Sequence, residues 1–140
     1  MNAASCTTQT IVVADDEQSL LQILSRMLSR SGFHVVTALN GRQAMDKVKA
    51  LHPSVLLTDM FMPEMNGAEL CQSLKSKQET KGTAIIMMSS APRLDIPECG
   101  ADRFLAKPFA LDALLHEIQS LTDEADHLST NGTDATGGGT

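Results

Sequence analysis

Short apolar runs alternate with helical patterns of apolar and polar residues from about residue 10 to residue 121. The runs are rich in valine, isoleucine and leucine, and the run at residues 11–14 carries no polar residue on either face. This is typical of parallel strands that are buried between two layers of helices. Five strands are predicted, at residues 11–14, 34–38, 55–59, 84–89 and 102–106. Because strands and helices alternate along the chain, the sequence predicts an α/β fold built on a parallel sheet.

The helical patterns each present one apolar stripe, as expected for helices that cover a sheet. The predicted stripes are Leu20, Leu24, Met27 and Leu28 in the first helix, Ala44, Val48 and Leu51 in the second, and Leu111, Leu114, Leu115 and Ile118 in the last. Gly32 is expected to end the first helix, Asn40 to cap the second, and Pro53 to prevent its continuation. A loop with proline and Asn-Gly turn signals leads into a third helix near residues 68–77.

The segment from Ala91 to Gly100 breaks this regular alternation. It holds two prolines, and its apolar residues Leu94 and Ile96 are two positions apart, so they do not share a helical face. We therefore expect an irregular loop or a single turn here, mobile without a ligand and anchored by these two residues. The helix that would join the fourth and fifth strands is predicted to be shortened or absent.

Composition narrows the classes of function. Apolar residues make up 42% of the chain and aromatic residues 3%, so aliphatic side chains and methionine must fill the core. Eleven basic against 17 acidic residues give a net charge of −6 with no basic stripe, which argues against binding to nucleic acid. No apolar run approaches the ~18 residues needed to span a bilayer, so a membrane location is not expected. Cys6, Cys71 and Cys99 show no C-x-x-C spacing and fit a reducing cytoplasm rather than a disulfide framework or a zinc site.

The same patterns predict the organisation of the chain. We expect a flexible N-terminal segment at residues 1–9 and one globular domain at 10–122. The acidic and then Gly/Thr-rich residues 123–140 have too little apolar surface to fold, and are expected to be a disordered tail.

Five residues of chemical interest fall at or just beyond the carboxyl ends of predicted strands: Asp15, Asp16, Asp59, Ser89 and Lys107. Each alone is as readily explained as a turn former, a helix cap or a solvated charge. Together they mark the edge at which open α/β sheets bind ligands. Three gathered carboxylates need a cation, and hard oxygen ligands favour Mg²⁺. A metal, a lysine and a hydroxyl around a carboxylate suit phosphoryl transfer, with Asp59 as the acceptor.

In these motifs the chain resembles a response-regulator receiver domain, of the single-domain type known from bacterial chemotaxis and phosphorelay proteins. The resemblance covers about residues 10–121. It rests on Asp15-Asp16 after the first strand, on Asp59 followed by Met62-Pro63 and Gly67, on Ser89-Ser90, and on Lys107-Pro108. The resemblance implies a flavodoxin-like, doubly wound sheet of five parallel strands in the order 2-1-3-4-5.

The resemblance also implies roles for individual residues. Asp59 would take a phosphoryl group from a phosphohistidine of a sensor histidine kinase or a histidine phosphotransfer protein, with at most slow self-dephosphorylation and no further enzymatic activity. Asp16, Asp59 and the backbone carbonyl of Phe61 would hold Mg²⁺ directly, and Asp15 largely through water. Ser89 and Lys107 would each contact a phosphoryl oxygen.

Further implications concern the switch. The Lys107–Pro108 peptide is expected to be cis. Phe104 matches the aromatic switch position, where the family often has tyrosine, and phenylalanine offers no hydroxyl there. Only 18 positions separate Ser89 from Lys107, about one helical turn fewer than usual in the family. The family usually signals through the surface near that helix, and this departure puts that mode of signalling in doubt. Phosphorylation could instead order the 91–100 segment together with Phe104.

Two other functions remain open at this point. The chain could be a receiver-fold interaction module that no longer depends on phosphorylation, which the shortened segment favours and the intact acidic site disfavours. It could also be a Mg²⁺-dependent hydrolase with Asp59 as nucleophile. That chemistry needs an acid–base carboxylate two residues on, where Phe61 stands. The downstream protein target is unknown.

Overall fold

The structure is a computed structural model and describes residues 8–92 and 96–123. Five parallel strands form one sheet in the order β2-β1-β3-β4-β5, which confirms the expected topology. The strands are β1 (Thr10–Ala14), β2 (His34–Ala38), β3 (Val55–Asp59), β4 (Ala84–Ser89) and β5 (Arg103–Ala106). The helices are α1 (Gln18–Arg30), α2 (Gly41–Leu51), α3 (Gly67–Lys75) and α4 (111–123).

The central strands are buried on both faces because they are continuous apolar runs. All five residues of β3 are buried, and so are Ile11 to Ala14 of β1. The largest core cluster joins side chains of β1, β3 and β4 to α2 and α3, and it includes Val12, Leu56 and Leu70. This apolar core fixes the positions of the strand ends, and those ends carry the residues of the site.

Two of the predicted helix stripes were wrong by about one position. The buried side of α1 consists of Leu21, Leu24 and Leu28, whereas Met27 is 38% exposed. Three adjacent apolar pairs in this helix offer two neighbouring stripes, and only packing against the sheet selects between them. In α2 the predicted Leu51 is 45% exposed, since it lies in the last turn before His52 leaves the helix in a left-handed conformation.

Other local predictions are confirmed. The Asn40 side chain accepts a hydrogen bond from the Gln43 N–H and caps α2. No residue at positions 90–92 or 96–102 is helical, in agreement with the expected irregular connection between β4 and β5. Leu94 lies outside the described residues, whereas Ile96 packs against the core cluster as expected.

Residues 110–123 form a second compact unit that contains α4. Within α4, Leu114, Ile118 and Leu121 are buried, while the predicted stripe residues Leu111 and Leu115 are half-buried. The predicted segments 1–9 and 123–140 lie almost entirely outside the described residues. Among the helices that are described, none is long and apolar enough to cross a membrane.

Candidate functional site

The predicted site residues meet at the carboxyl edge of the sheet. Asp59 is the last residue of β3 and Ser89 the last of β4, while Asp15 follows β1 and Lys107 follows β5. The parallel registers bring these ends level: Ala14 lies beside Thr58, and Ser89 beside Ala106. Side chains that are far apart in the sequence therefore share one edge.

Three carboxylates form the floor of the site. Asp15, Asp16 and Asp59 each place one carboxylate oxygen within 4.8 Å of the others. Asp15 and Asp59 are buried, at 1% and 8% exposure, whereas Asp16 is exposed. One oxygen of Asp15 accepts the Glu17 N–H at 2.9 Å, which fixes the orientation of this carboxylate. The oxygen-only donor set and its charge fit a small hard cation such as Mg²⁺.

The Lys107 ammonium lies between the two buried carboxylates. Its Nζ is 2.8 Å from Oδ2 of Asp15 and 3.0 Å from Oδ1 of Asp59. The Lys107 N–H donates to the carbonyl of Ser89 at 2.9 Å, which ties the backbone of this lysine to the end of β4. The Lys107–Pro108 peptide is cis, as the resemblance implies. The site thus holds one cation among three acids and retains a net negative charge.

Burial and charge change the ionisation of the central pair. Burial raises the pKa of Asp59 above its ordinary value; the hydrogen bond from Lys107 opposes this effect and the charge of Asp15 adds to it. Burial acts to lower the pKa of Lys107, but the hydrogen bonds to Asp15 and Asp59 outweigh it, so this pKa is raised. The lysine is therefore a permanent cation at neutral pH, and Asp59 is a carboxylate that gains from a second cation.

Ser89 and Phe104 border the site on the side of β4 and β5. Ser89 is buried, and its hydroxyl accepts the Ala91 N–H at 2.9 Å. Phe104 is half-buried and packs against the core cluster. Both residues line a cavity of about 270 Å³ together with Ile96. The cavity gives space in which a hydroxyl and a ring can change position together.

Phe61 lies on the opposite side, in the loop after β3. Its side chain is 57% exposed, and it borders an open cleft together with Asp16 and Asn66. The structure therefore places this residue beside Asp16. The hydrolase alternative requires an acid–base carboxylate at this position, and phenylalanine stands there instead.

Two features of the site were not predicted from the sequence. Asn66 and Glu69 form a reciprocal capping box at the start of α3, and the Asn-x-x-Glu spacing was the available signal. Gly67 packs so closely under the site that an added Cβ would lie 2.5 Å from the Asp59 carbonyl oxygen and 2.9 Å from the Met60 Cα. In the sequence, a glycine beside a turn is only a weak signal of such close packing.

The amino-acid sequence of this chain is similar to those of known proteins. A family model for the response regulator receiver domain matches residues 11–119. The chain is 34% identical over 127 residues to the probable transcriptional regulator ycf27 of Porphyra purpurea, covering 88% of this chain and 51% of that protein. It is 32% identical over 114 residues to protein PilG of Pseudomonas aeruginosa, covering 79% and 84% respectively. The chain thus spans about half the length of the ycf27 regulator.

Solved structures show the same similarity. The chemotaxis response regulator CheY4 of Vibrio cholerae superposes with a TM-score of 0.76 at 29% identity, covering 82% of this chain and 99% of CheY4. The receiver domain of sensor histidine kinase PA1611 from Pseudomonas aeruginosa gives a TM-score of 0.77 at 21% identity, covering 82% and 98%. That structure is described with a magnesium ion in its active site cleft; its likeness to this chain concerns the fold alone.

Proposed function

This chain belongs to the response regulator receiver domain family of two-component systems, and on that premise we propose that it is a phosphorylatable receiver with Asp59 as the acceptor. The observation that carries the proposal is the position of the Lys107 ammonium, which contacts both Asp15 and Asp59 within 3.0 Å. A carboxylate held beside a fixed cation and two further acids suits phosphoryl transfer, because catalysis there consists of positioning and of charge neutralisation.

The acceptor step follows from this arrangement. One oxygen of the Asp59 carboxylate attacks the phosphorus of a phosphohistidine, so an O–P bond forms while the P–N bond breaks. The imidazole nitrogen keeps the bonding electron pair and takes up a proton. The product is an aspartyl phosphate, which water hydrolyses slowly. Lys107 now pairs with Asp59, and after transfer its ammonium would pair with a phosphoryl oxygen.

We propose that Mg²⁺ is held by the carboxylates of Asp15, Asp16 and Asp59 and by the backbone carbonyl of Phe61. When bound, the ion would neutralise charge on the phosphoryl oxygens. Asp16 is exposed and accessible to a hydrated ion, whereas Asp15 is already engaged by Lys107 and by the Glu17 N–H. We therefore assign Asp16 as a direct ligand and Asp15 as a ligand that acts largely through water.

Signalling is proposed to run through Ser89 and Phe104. The Ser89 hydroxyl now accepts the Ala91 N–H through an oxygen lone pair, and a turn of the side chain that directs its proton toward a phosphoryl oxygen would alter this contact. Residue 91 begins the β4–β5 connection, so this change would be transmitted to the residues that follow. The cavity shared by Ser89 and Phe104 allows the ring to move inward at the same time.

The proposed donor is a cytoplasmic histidine kinase or a phosphotransfer protein, and the output is altered binding to another protein. The net charge of −6 disfavours direct contact with nucleic acid.

The test is phosphorylation of the full chain by acetyl phosphate with Mg²⁺, followed by intact mass spectrometry. Wild type should gain one phosphoryl group, and Asp59→Asn should gain none. Asp46→Asn, an exposed aspartate in α2, serves as the matched control and should be labelled like wild type. Equal labelling of Asp59→Asn and wild type would overturn the assignment.

A further inference from the structure

The segment at residues 96–102 is held against α3 by polar contacts. Gln72 Nε2 of α3 donates to the carbonyl of Glu98 at 2.9 Å, at an exposed position. Lys75 Nζ lies 2.9 Å from Oδ2 of Asp102, and neither side chain is fully buried. These two polar contacts are solvent-accessible and therefore weak, and the segment is also held by the packing of Ile96, Cys99 and Ala101 in the core cluster.

Two cysteines lie face to face inside this contact. Cys71 of α3 is fully buried and Cys99 is 6% exposed, and both are free thiols. The Cys71 Sγ donates to the carbonyl oxygen of Cys99 at 3.1 Å, and Cys99 contributes to raising the pKa of the Cys71 thiol. A carbonyl oxygen is about 2.4 Å from its own Cα by standard geometry. The Cα of Cys99 thus lies within about 5.5 Å of the Cys71 sulfur, which makes the two cysteines neighbours that a movement of the segment can bring into bonding distance.

We propose that Cys71 and Cys99 are a modification site that peroxides convert to an intramolecular disulfide, which locks the 96–102 segment onto α3. First, the Cys99 sulfur attacks one peroxide oxygen; an S–O bond forms, the O–O bond breaks, and water leaves. The Cys71 sulfur then attacks the sulfenic sulfur; the S–S bond forms, the S–O bond breaks, and the oxygen leaves as a second water that carries the Cys71 thiol proton. Two thiols are oxidised and one peroxide is reduced. This inference goes beyond the phosphorylation chemistry and does not depend on it.

The closed structure sets the order and the rate of these steps. Cys99 reacts first because it is the more exposed of the two residues, at 6% against 0%. Burial raises the pKa of the Cys71 thiol and keeps it protonated, so its attack on the sulfenic sulfur is slow in the closed form. Oxidation is therefore slow in the closed form and proceeds when the segment opens. The resulting bond spans 28 positions of sequence and joins the 96–102 segment covalently to α3.

The experiment uses the full chain with Cys6→Ser, which removes the third thiol of the sequence. The reduced protein is treated with hydrogen peroxide, denatured, alkylated and digested. We expect both alkylatable thiols to be lost, a Cys71–Cys99 cross-linked peptide to appear, and dithiothreitol to restore both thiols. Cys99→Ser in the same background should form no cross-link and keep Cys71 alkylatable.

Two results would overturn the proposal: recovery of both thiols in the alkylated form, or oxidation of each cysteine separately without a cross-link. Hydrogen exchange gives an independent readout on the folded protein. Amides 97–101 should exchange more slowly in the oxidised protein than in the reduced one, and identically in the two samples of Cys99→Ser. Unchanged exchange in the cross-linked protein would contradict the locking of the segment.

Discussion

Replacement of Gly67 by alanine would place a methyl group where the end of β3 meets the start of α3. The added Cβ would lie 2.5 Å from the Asp59 carbonyl oxygen, 2.7 Å from the Met87 sulfur and 2.9 Å from the Met60 Cα, whereas ordinary contact begins at 3.4 Å. Two of these three atoms belong to the backbone and cannot move as a flexible side chain does. The strand end that carries Asp59 must therefore retreat by about 0.9 Å to relieve the shortest contact.

Overpacking of this kind typically costs about 1–3 kcal/mol. The contacts to backbone place Gly67→Ala in the upper part of that range, and the better helix propensity of alanine returns a fraction of it. We expect a net loss of about 2 kcal/mol, or a fall in Tm of roughly 8 °C for a domain of this size. Since the retreating backbone belongs to Asp59, the stabilisation by Mg²⁺ should decrease as well.

The assay is urea and thermal unfolding followed by far-ultraviolet circular dichroism, because the chain has no tryptophan or tyrosine to report by fluorescence. Gly82→Ala is the matched control, since an added Cβ there meets no atom within 4 Å. The control should remain within about 0.5 kcal/mol of wild type. If Gly67→Ala unfolds at the same urea concentration as Gly82→Ala, the close packing under Asp59 is refuted.

Three further predictions concern the site itself. Asp16→Asn should weaken Mg²⁺ binding more than Asp15→Asn, since Asp16 is exposed and free to ligate directly; equal affinities in an NMR titration would contradict this. Without metal, the contribution of Asp59 to the free energy of unfolding should fall as pH rises from about 4, because its raised pKa makes the folded state hold this proton more tightly than the unfolded state. Asp59→Asn should flatten that slope in urea titrations across pH, and an unchanged slope would assign it to another group. Amides 96–100 should exchange rapidly in the unmodified reduced protein, since no residue there is helical, and more slowly after phosphorylation. Strong protection before phosphorylation would argue against loop ordering as the signal.

The sequence was sufficient for most of the elements and for the membership of the site. β3 begins with three apolar residues, Val55 to Leu57, and ends in Asp59, so both the burial of these residues and the position of this carboxylate could be predicted. Asp15, Ser89 and Lys107 follow or end other strands in the same way. The carboxyl ends of parallel strands lie at one edge of the sheet whatever the strand order, so these residues could be predicted to share that edge. The irregular β4–β5 connection could be predicted from its prolines.

Tertiary structure alone decided the contacts between residues distant in sequence. The α1 pattern offered two neighbouring stripes, and packing on the sheet selected Leu21 rather than Met27. The bond from Lys107 to Asp15 joins residues 92 positions apart, and the contact between Cys71 and Cys99 spans 28. Such distances depend on strand order and close packing, because a local pattern specifies which face a side chain occupies but not which residue lies opposite it.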